Sequence, residues 1–401
     1  MNTVIKVELQ EFAAALEKAA VAVKECFILT LHKKNKKSGD KNFFSIKACN
    51  GTTQVDASVF SEVDLEPEEA ISFAVGANFL NVIQTIAKIC SEEVYAVLEL
   101  DGSALCVKCG NARVPIGIQD ASEVVSIQNL DPRKSPCMAV LFDKAEIQRS
   151  IRCGGCAYRS SKDSSNPYDN TVLFIPGRED GESIFKMISI DSLGKMLAGC
   201  RARTSVRSQA NFDQYVEDGK IISLNGDFIM RIARGFTGKQ SLWCFFESQV
   251  VISDGNNFYT ICLKNMNLQI DNFIKMVFSE PEADFRIRAN AGDIRGAVDV
   301  ISLNQPANGK NAAILKADDS LQILSLNRKN SMIVESAGVD GSTEFCVDCT
   351  VLKRGVDNCG SAEFEIAGTT PKSPIYLRGD SSCVIILPID LDANASGDGD
   401  A

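Results

Sequence analysis

Of 401 residues, only one is histidine and only one is tryptophan. A two-histidine zinc site is therefore impossible, and the side chain that most often serves as general base occurs once. That residue, His32, ends the apolar run FILTLH and borders the lysine-rich stretch HKKNKKSGDK (32–41). It reads as a solvated histidine beside a charged hairpin loop, although the four lysines before Gly39 could also touch phosphate. No apolar run reaches the roughly 18 residues that a membrane-spanning helix needs, so no membrane partner is expected. The opening MNTVIKVELQEF has no apolar segment behind a basic one, so no secretory signal is expected and the expected location is cytoplasmic. Bases are also short: 42 Lys and Arg against 52 Asp and Glu leave a net charge of −10. That argues against a protein that coats nucleic acid indiscriminately, but not against one that gathers its cations on one surface. The length allows two or three domains of roughly 100–200 residues each.

Cysteine is plentiful by contrast, with 15 residues, an odd number. In a reducing compartment these are expected to be thiols that pack as small hydrophobes rather than a disulfide framework. Three C-x-x-C pairs stand out: Cys106 and Cys109, Cys153 and Cys156, and Cys346 and Cys349. A redox site of the thioredoxin kind needs the pair to open a helix after a strand. Cys153 and Cys156 come at the end of a helix instead. Cys106 and Cys109, three apart in a strand, point to opposite faces. Cys346 and Cys349 straddle a strand-to-helix junction. The stretch CVKCG looks like half of a zinc knuckle, but a four-cysteine site would need pairs from different domains to meet. The expected reading is packing residues, with no metal and no cofactor.

The chain repeats itself. Amphipathic helices are predicted over 7–23, 142–157 and 289–303, each opening a region, and over 76–89, 225–236 and 348–359 later in the same regions. After each of the later helices come strands separated by turns with Asp-Gly, Gly-Asn or Gly-Asp pairs. Further strands lie between the two helices of each region, at 43–59, 170–190 and 312–337. Linkers fall near 119–137 and 268–284. The fold class is α+β: three tandem domains, each of two helices on antiparallel sheets, at 1–130, 131–280 and 281–391. The tail 392–401 is small, acidic and polar, and is expected to be disordered. Three such domains can form an arc, and two arcs can close into a ring of six similar parts.

The polar sides of the six helices carry cations: Lys18, Lys24, Lys88, Arg149, Arg152, Arg231, Arg234, Lys239, Arg295, Lys353 and Arg354. On any one helix these read as a solvated face. As a set they could line a channel and meet phosphates without reading sequence.

The repeat, together with CVIILPIDL (383–391), SIDSLGKMLA (189–198) and LFDKAEIQRSI (141–151), resembles the bacterial DNA polymerase III β subunit family, the sliding clamps. The resemblance runs from Val7 to Leu391. It implies a homodimeric ring that encircles double-stranded DNA, with helices inside and sheets outside. It implies a processivity factor with no catalytic residues of its own, which tethers a DNA polymerase and meets a clamp loader through short peptide motifs. It also implies a peptide pocket formed by Leu197, Lys275, Met276, Ile385, Ile386, Leu387, Pro388, Ile389 and Leu391. A dimer contact is implied at Ile301 and Leu303, with the interface strands assigned to 103–109 and part of 312–337. The chain departs from the family at Ser192–Met196, and has Asp390 for the usual Arg, Asp271 for the usual Pro and Asp169 for an apolar residue of the pocket. Those departures motivate an alternative, a clamp-fold paralogue that scaffolds proteins without encircling DNA. The cysteine pairs motivate a third reading, a zinc-binding protein.

Overall fold

Helices form where the apolar stripe has the right period. In α1 (Leu9–Ala20), Leu9, Phe12, Leu16 and Ala19 are buried, while Glu11 in the first turn and Lys18 in the last suit the helix dipole. The others are α2 (Phe79–Ile89), α3 (Lys144–Gly154), α4 (Gln209–Glu217), α5 (Gly226–Arg234), α6 (Asp271–Phe278), α7 (Ala291–Leu303) and α8 (Cys349–Asn358). Asp348 caps α8, its carboxylate accepting the N–H groups of Thr350 and Val351. This computed structural model describes residues 2–32, 42–63, 70–101, 104–128, 130–131, 136–160, 166–191, 193, 195–255, 257–263, 268–303 and 311–390. The six helices expected from periodicity are present. Of the additional two, α4 buries only Phe212 and so has almost no stripe to recognise. The other, α6, lies in a stretch that reads as a linker. Most of the lysine-rich loop, the tail and Leu391 fall outside the described residues.

The chain divides into two compact units. The first comprises Met1–Lys144, Val206–Asn211 and Arg231–Leu263. Its sheet has 13 strands. In spatial order they begin Asn2–Glu8, Tyr95–Asp101, Ala104–Cys109, Ala112–Asp120, Ile71–Gly76, Cys26–Leu31, Asn42–Cys49 and Thr53–Val63. They continue Asn257–Cys262, Gln249–Asp254, Gln240–Phe245, Met138–Asp143 and Ser205–Val206. Strands Asn2–Glu8 and Thr53–Val63 also pair, through Ile5↔Val63 to Val7↔Ser61. The sheet passes from the first repeat into the second where Phe258 to Ile261 pair antiparallel with Asp56 to Thr53. Alternation along Tyr95–Asp101, buried at Ala96, Leu98 and Leu100, is the two-residue period of a half-buried strand. Phe12 packs against Phe44 and Phe79 at 5.9 and 6.0 Å between ring centroids, and Trp243 lies edge-on to Phe142 at 5.4 Å.

The second unit comprises Ala145–Ser205, Phe212–Met230 and Lys264–Ala401. Its nine-stranded sheet runs Ile222–Asn225, Thr171–Glu179, Glu182–Ile190, Met196–Arg203, Ser382–Ile386, Ile375–Arg378, Glu363–Gly368, Phe285–Asn290 and Gly338–Asp340. A separate four-stranded sheet runs Ser331–Val334, Leu321–Ser325, Ala312–Ala317 and Thr343–Asp348. The hairpin at Glu179↔Glu182 turns on Asp180 and Gly181, both at positive φ (51° and 80°), the backbone that Asp-Gly tolerates best. The second repeat thus supplies strands to both units. Met138–Asp143 and Gln240–Cys262 belong to the first, and Thr171–Arg203 with Ile222–Asn225 to the second.

Candidate functional site

The join between the second and third repeats builds an apolar surface within the second unit. Strands Met196–Arg203 and Ser382–Ile386 pair antiparallel, Met196 opposite Ile386, Leu197 opposite Ile385, and Ala198 opposite Val384. Successive side chains alternate faces. On one face Leu197, Ile385 and Cys383 cluster with Leu173, Ile175, Ile188, Ile190, Leu268, Ile270 and Val277. Helix α6 presses onto this face at Gly199, where a Cβ atom would come to 2.4 Å from Val277 Cγ1. Only glycine allows the approach. The far end of α6 is fastened by Phe278, whose ring has Arg201 at 4.8 Å and Lys186 at 5.4 Å from its centroid. Arg201 also donates to the Phe278 carbonyl at 3.1 Å, and Glu179 pairs with both cations.

Around this cluster stand half-buried apolar side chains: Tyr168, Phe273, Ile274, Met276 and Tyr376. Tyr168 meets Phe273 edge-on at 5.6 Å, and its hydroxyl donates to the Gln269 carbonyl at 3.2 Å. Burial pushes the Cys383 thiol up to about 12, so it is neutral, and burial also raises the Tyr376 hydroxyl. Beyond the last strand the Leu387 N–H donates to the Lys195 carbonyl at 3.2 Å, leaving the Leu387 side chain 47% exposed. Leu193 is exposed as well. Such a rim, apolar and partly wet with few polar groups, is the chemistry that accepts an extended peptide with aliphatic or aromatic anchors.

The structure distributes the expected pocket residues unevenly. Leu197 and Ile385 are in the floor and Met276 in the rim. Lys275 is exposed on α6, and Pro388 is half-buried. Ile386 is not in this surface: the two-residue period turns it to the opposite face, into the core with Met196, Phe364 and Leu377. Ile389 leaves too, packing against Ala312, Ile314, Leu324 and Cys346, with its N–H donating to the Cys346 carbonyl at 2.8 Å. Tyr168, Phe273 and Tyr376 were not anticipated, although the spacing of Phe273, Ile274, Val277 and Phe278 is helical and signals an apolar stripe in α6. Asp169 is 7% exposed, and its Oδ1 has no hydrogen-bond partner among the described residues. Asp271 opens α6, where its charge suits the helix N-terminus, and Asp390 pairs with Lys372 at 3.1 Å.

The helix cations fall into two groups. Lys88, Arg152, Arg231, Arg234 and Lys239 are exposed. Lys18 is half-buried beside a cleft of about 400 Å³ also lined by Glu11, Phe60 and Asn257. Lys24, Arg149, Arg295, Lys353 and Arg354 form ion pairs or hydrogen bonds with neighbours, Lys24 and Arg295 while exposed themselves. Lys24 lies 3.5 Å from Glu25, and Arg149 pairs with Glu146 at 2.8 Å and bonds Ser381. In the third repeat Arg295 pairs with Asp357, Lys353 pairs with Asp299 at 2.6 Å, and Arg354 donates to the Tyr158 carbonyl.

The dimer-contact residues also part company. Ile301 is fully buried in the core of the third repeat, because the helical stripe that holds Ile294, Ala297 and Val298 includes it. Leu303, two residues on, is 85% exposed, next to exposed Val300 on α7. Strand Ala104–Cys109, taken from sequence as an interface strand, is paired on both sides, with Tyr95–Asp101 and Ala112–Asp120. The open edge is on its neighbour: Ala112–Asp120 pairs with Ile71–Gly76 only through residues 118–120. Ser331–Val334, within the stretch 312–337, is an edge strand of the four-stranded sheet.

The cysteines of the C-x-x-C pairs sit as packing residues. Cys153, Cys156, Cys109, Cys346 and Cys349 are buried, and Cys106 lies on the opposite face of its strand from Cys109. Among the described residues no group of three or more His, Cys, Asp or Glu is arranged to hold a metal ion. No helix among them is long and apolar enough to cross a membrane.

An α+β chain of repeated helix pairs on shared antiparallel sheets falls in the class of sliding-clamp folds. Solved structures to which it is similar include DNA polymerase III β subunits. The clamp of Bacillus subtilis matches with a TM-score of 0.74 at 14% identity, over 97% of this chain and 100% of that one. The β subunit of Thermotoga maritima matches at 0.75 and 15%, over 97% and 100%. A clamp of Bartonella birtlesii bound to griselimycin matches at 0.76 and 14%, over 98% and 100%. At these identities the likeness is one of fold. No family sequence model and no curated protein matches the chain.

Proposed function

We propose that the chain is a DNA sliding clamp of the polymerase III β type, a processivity factor rather than an enzyme. The observation that carries this reading is the extent of the fold likeness, which spans 97% of this chain and all of the Bacillus subtilis and Thermotoga maritima clamps. On this reading the repeats at 1–130, 131–280 and 281–391 are three clamp domains, and two copies close head to tail into a cytoplasmic ring around duplex DNA. Cations on the helices meet phosphates loosely, so the ring slides, while the net charge of −10 keeps DNA off the outer wall. The surface around Leu197, Ile385, Phe273 and Met276 receives short peptides of a polymerase and a clamp loader.

A second reading is a clamp-fold scaffold that binds proteins without encircling DNA. It is favoured by the third repeat, where Arg295, Lys353 and Arg354 each hold a protein partner: Asp357, Asp299 and the Tyr158 carbonyl. One experiment separates the two. The chain, with a loader, is placed on nicked circular duplex, and retention through a sizing column is measured before and after linearisation. A ring stays on the circle and runs off the linear form. Equal retention on both, or none on either, sinks the clamp reading in favour of the scaffold.

A further inference from the structure

Most of the 15 cysteines are sealed in the core, but one pair combines contact with access. Cys90 follows α2, where its N–H donates to the Ile86 carbonyl at 2.8 Å. Its side chain is half-buried. Its Sγ donates to the Cys109 carbonyl at 3.3 Å, and the Cys109 thiol, 3% exposed, donates to the Tyr95 carbonyl at 3.6 Å. Both backbones are fixed. Cys109 pairs with Ala112 across the turn at Gly110 (φ 52°), and the Cys90 carbonyl accepts the Glu93 N–H at 3.0 Å.

Cys153 and Cys200, in the second unit, are both fully buried and out of reach of an oxidant. Cys106, the C-x-x-C neighbour of Cys109, lies on the other face of its strand.

We propose that Cys90 and Cys109 form a thiol-modification site, closing to a reversible disulfide when the protein meets a hydroperoxide. The half-buried Cys90 reacts first. Its sulfur attacks the peroxide oxygen, the O–O bond breaks, and Cys90 becomes a sulfenic acid as one water forms. The Cys109 sulfur then attacks the sulfenyl sulfur, and the departing hydroxide takes the Cys109 proton as a second water. Two thiols are oxidised by two electrons and one hydroperoxide is reduced. The order follows from surroundings: burial first, then the hydrogen bond to Cys90 and the Glu93 charge, hold Cys109 protonated to about 11, so it serves as the resolving partner. The bond would staple the end of α2 to the end of strand Ala104–Cys109, beside the exposed side chains of Ile89, Val94 and Tyr95. The site stands on the first unit alone and does not depend on the clamp reading.

The test is a peptide map. The full chain is reduced, freed of reductant, exposed to hydrogen peroxide in slight excess, alkylated, and digested with trypsin and a glutamyl endopeptidase without reduction. Cleavage after Lys88, Glu93, Lys108 and Arg113 separates Cys90 from Cys106 and leaves Cys109 in the fragment 109–113. The expected product joins the Cys90 and Cys109 fragments two hydrogens lighter, disappears with dithiothreitol, persists in Cys106→Ser and is absent from Cys90→Ser. Recovery of Cys90 as an alkylated thiol or a sulfinic acid without that link, or a link from Cys109 to Cys106 instead, overturns the proposal.

Discussion

Ile301 and Leu303 show how much hangs on which way one side chain points. They are two apart on α7, so about 200° separates them around the helix. Ile301 is in the core and Leu303 is in solvent. Ile301→Ala should therefore cost about 2–5 kcal/mol in folding stability by leaving a cavity. Leu303→Asp should leave stability within about 0.5 kcal/mol, since it removes nothing from the core. If Leu303 belongs to a subunit contact, that variant alone lowers the solution mass while its denaturation midpoint stays put. A Leu303→Asp protein with unchanged mass would take Leu303 out of the interface. The same lesson holds at Ile385 and Ile386. A strand cannot aim both at one surface, and the apolar surface keeps only the first.

At the scale of elements, the helices differ in how many cations they leave exposed. Arg234 at the end of α5 and Lys239 just beyond it are exposed, whereas the exposed Arg295 on α7 and the half-buried Lys353 on α8 are held by Asp357 and Asp299. Binding to a short linear duplex should reflect that difference. The pair Arg234→Gln and Lys239→Gln should lower affinity across all sequences and flatten the salt slope by about 2, roughly 1 for each phosphate no longer neutralised. The pair Arg295→Gln and Lys353→Gln should change the slope by much less. Equal effects from both pairs would mean that the ion pairs open when DNA arrives. Much of this was legible in sequence: six helices from their stripes, the hairpin turn at Gly110 and Asn111 from its Gly-Asn pair, and the cations themselves. What was not legible has physical causes. Helix α4 buries one side chain, so it has no period to read. Helix α6 is eight residues long and sits on its sheet by virtue of Gly199, which is distant in sequence. The partners of Arg295 and Lys353 come from the facing helix of the pair, and periodicity says nothing about them. The surface rim at Tyr168 and Tyr376 is assembled from two repeats, so no local motif announces it.

For the whole molecule, the mass in solution is the plainest quantity. Light scattering on a sizing column under reducing conditions should give about twice the 43.4 kDa of one chain if two copies close a ring. A strict monomer at micromolar concentration would count heavily against self-closure and move attention to the scaffold reading. Within one chain, the repeats do not behave as beads on a string. The second gives Asn257–Cys262 to a ladder with Thr53–Val63, and Met196–Arg203 to a ladder with Ser382–Ile386. A fragment cut at residue 130 or 280 would strip a partner from one of these ladders and leave a raw strand edge, the feature that templates aggregation. Limited proteolysis of the linkers should therefore yield pieces that stay together until denatured. The repeats could be copied in evolution as separate pieces, but once their sheets had fused, none could be lost without exposing the torn edge of its neighbour.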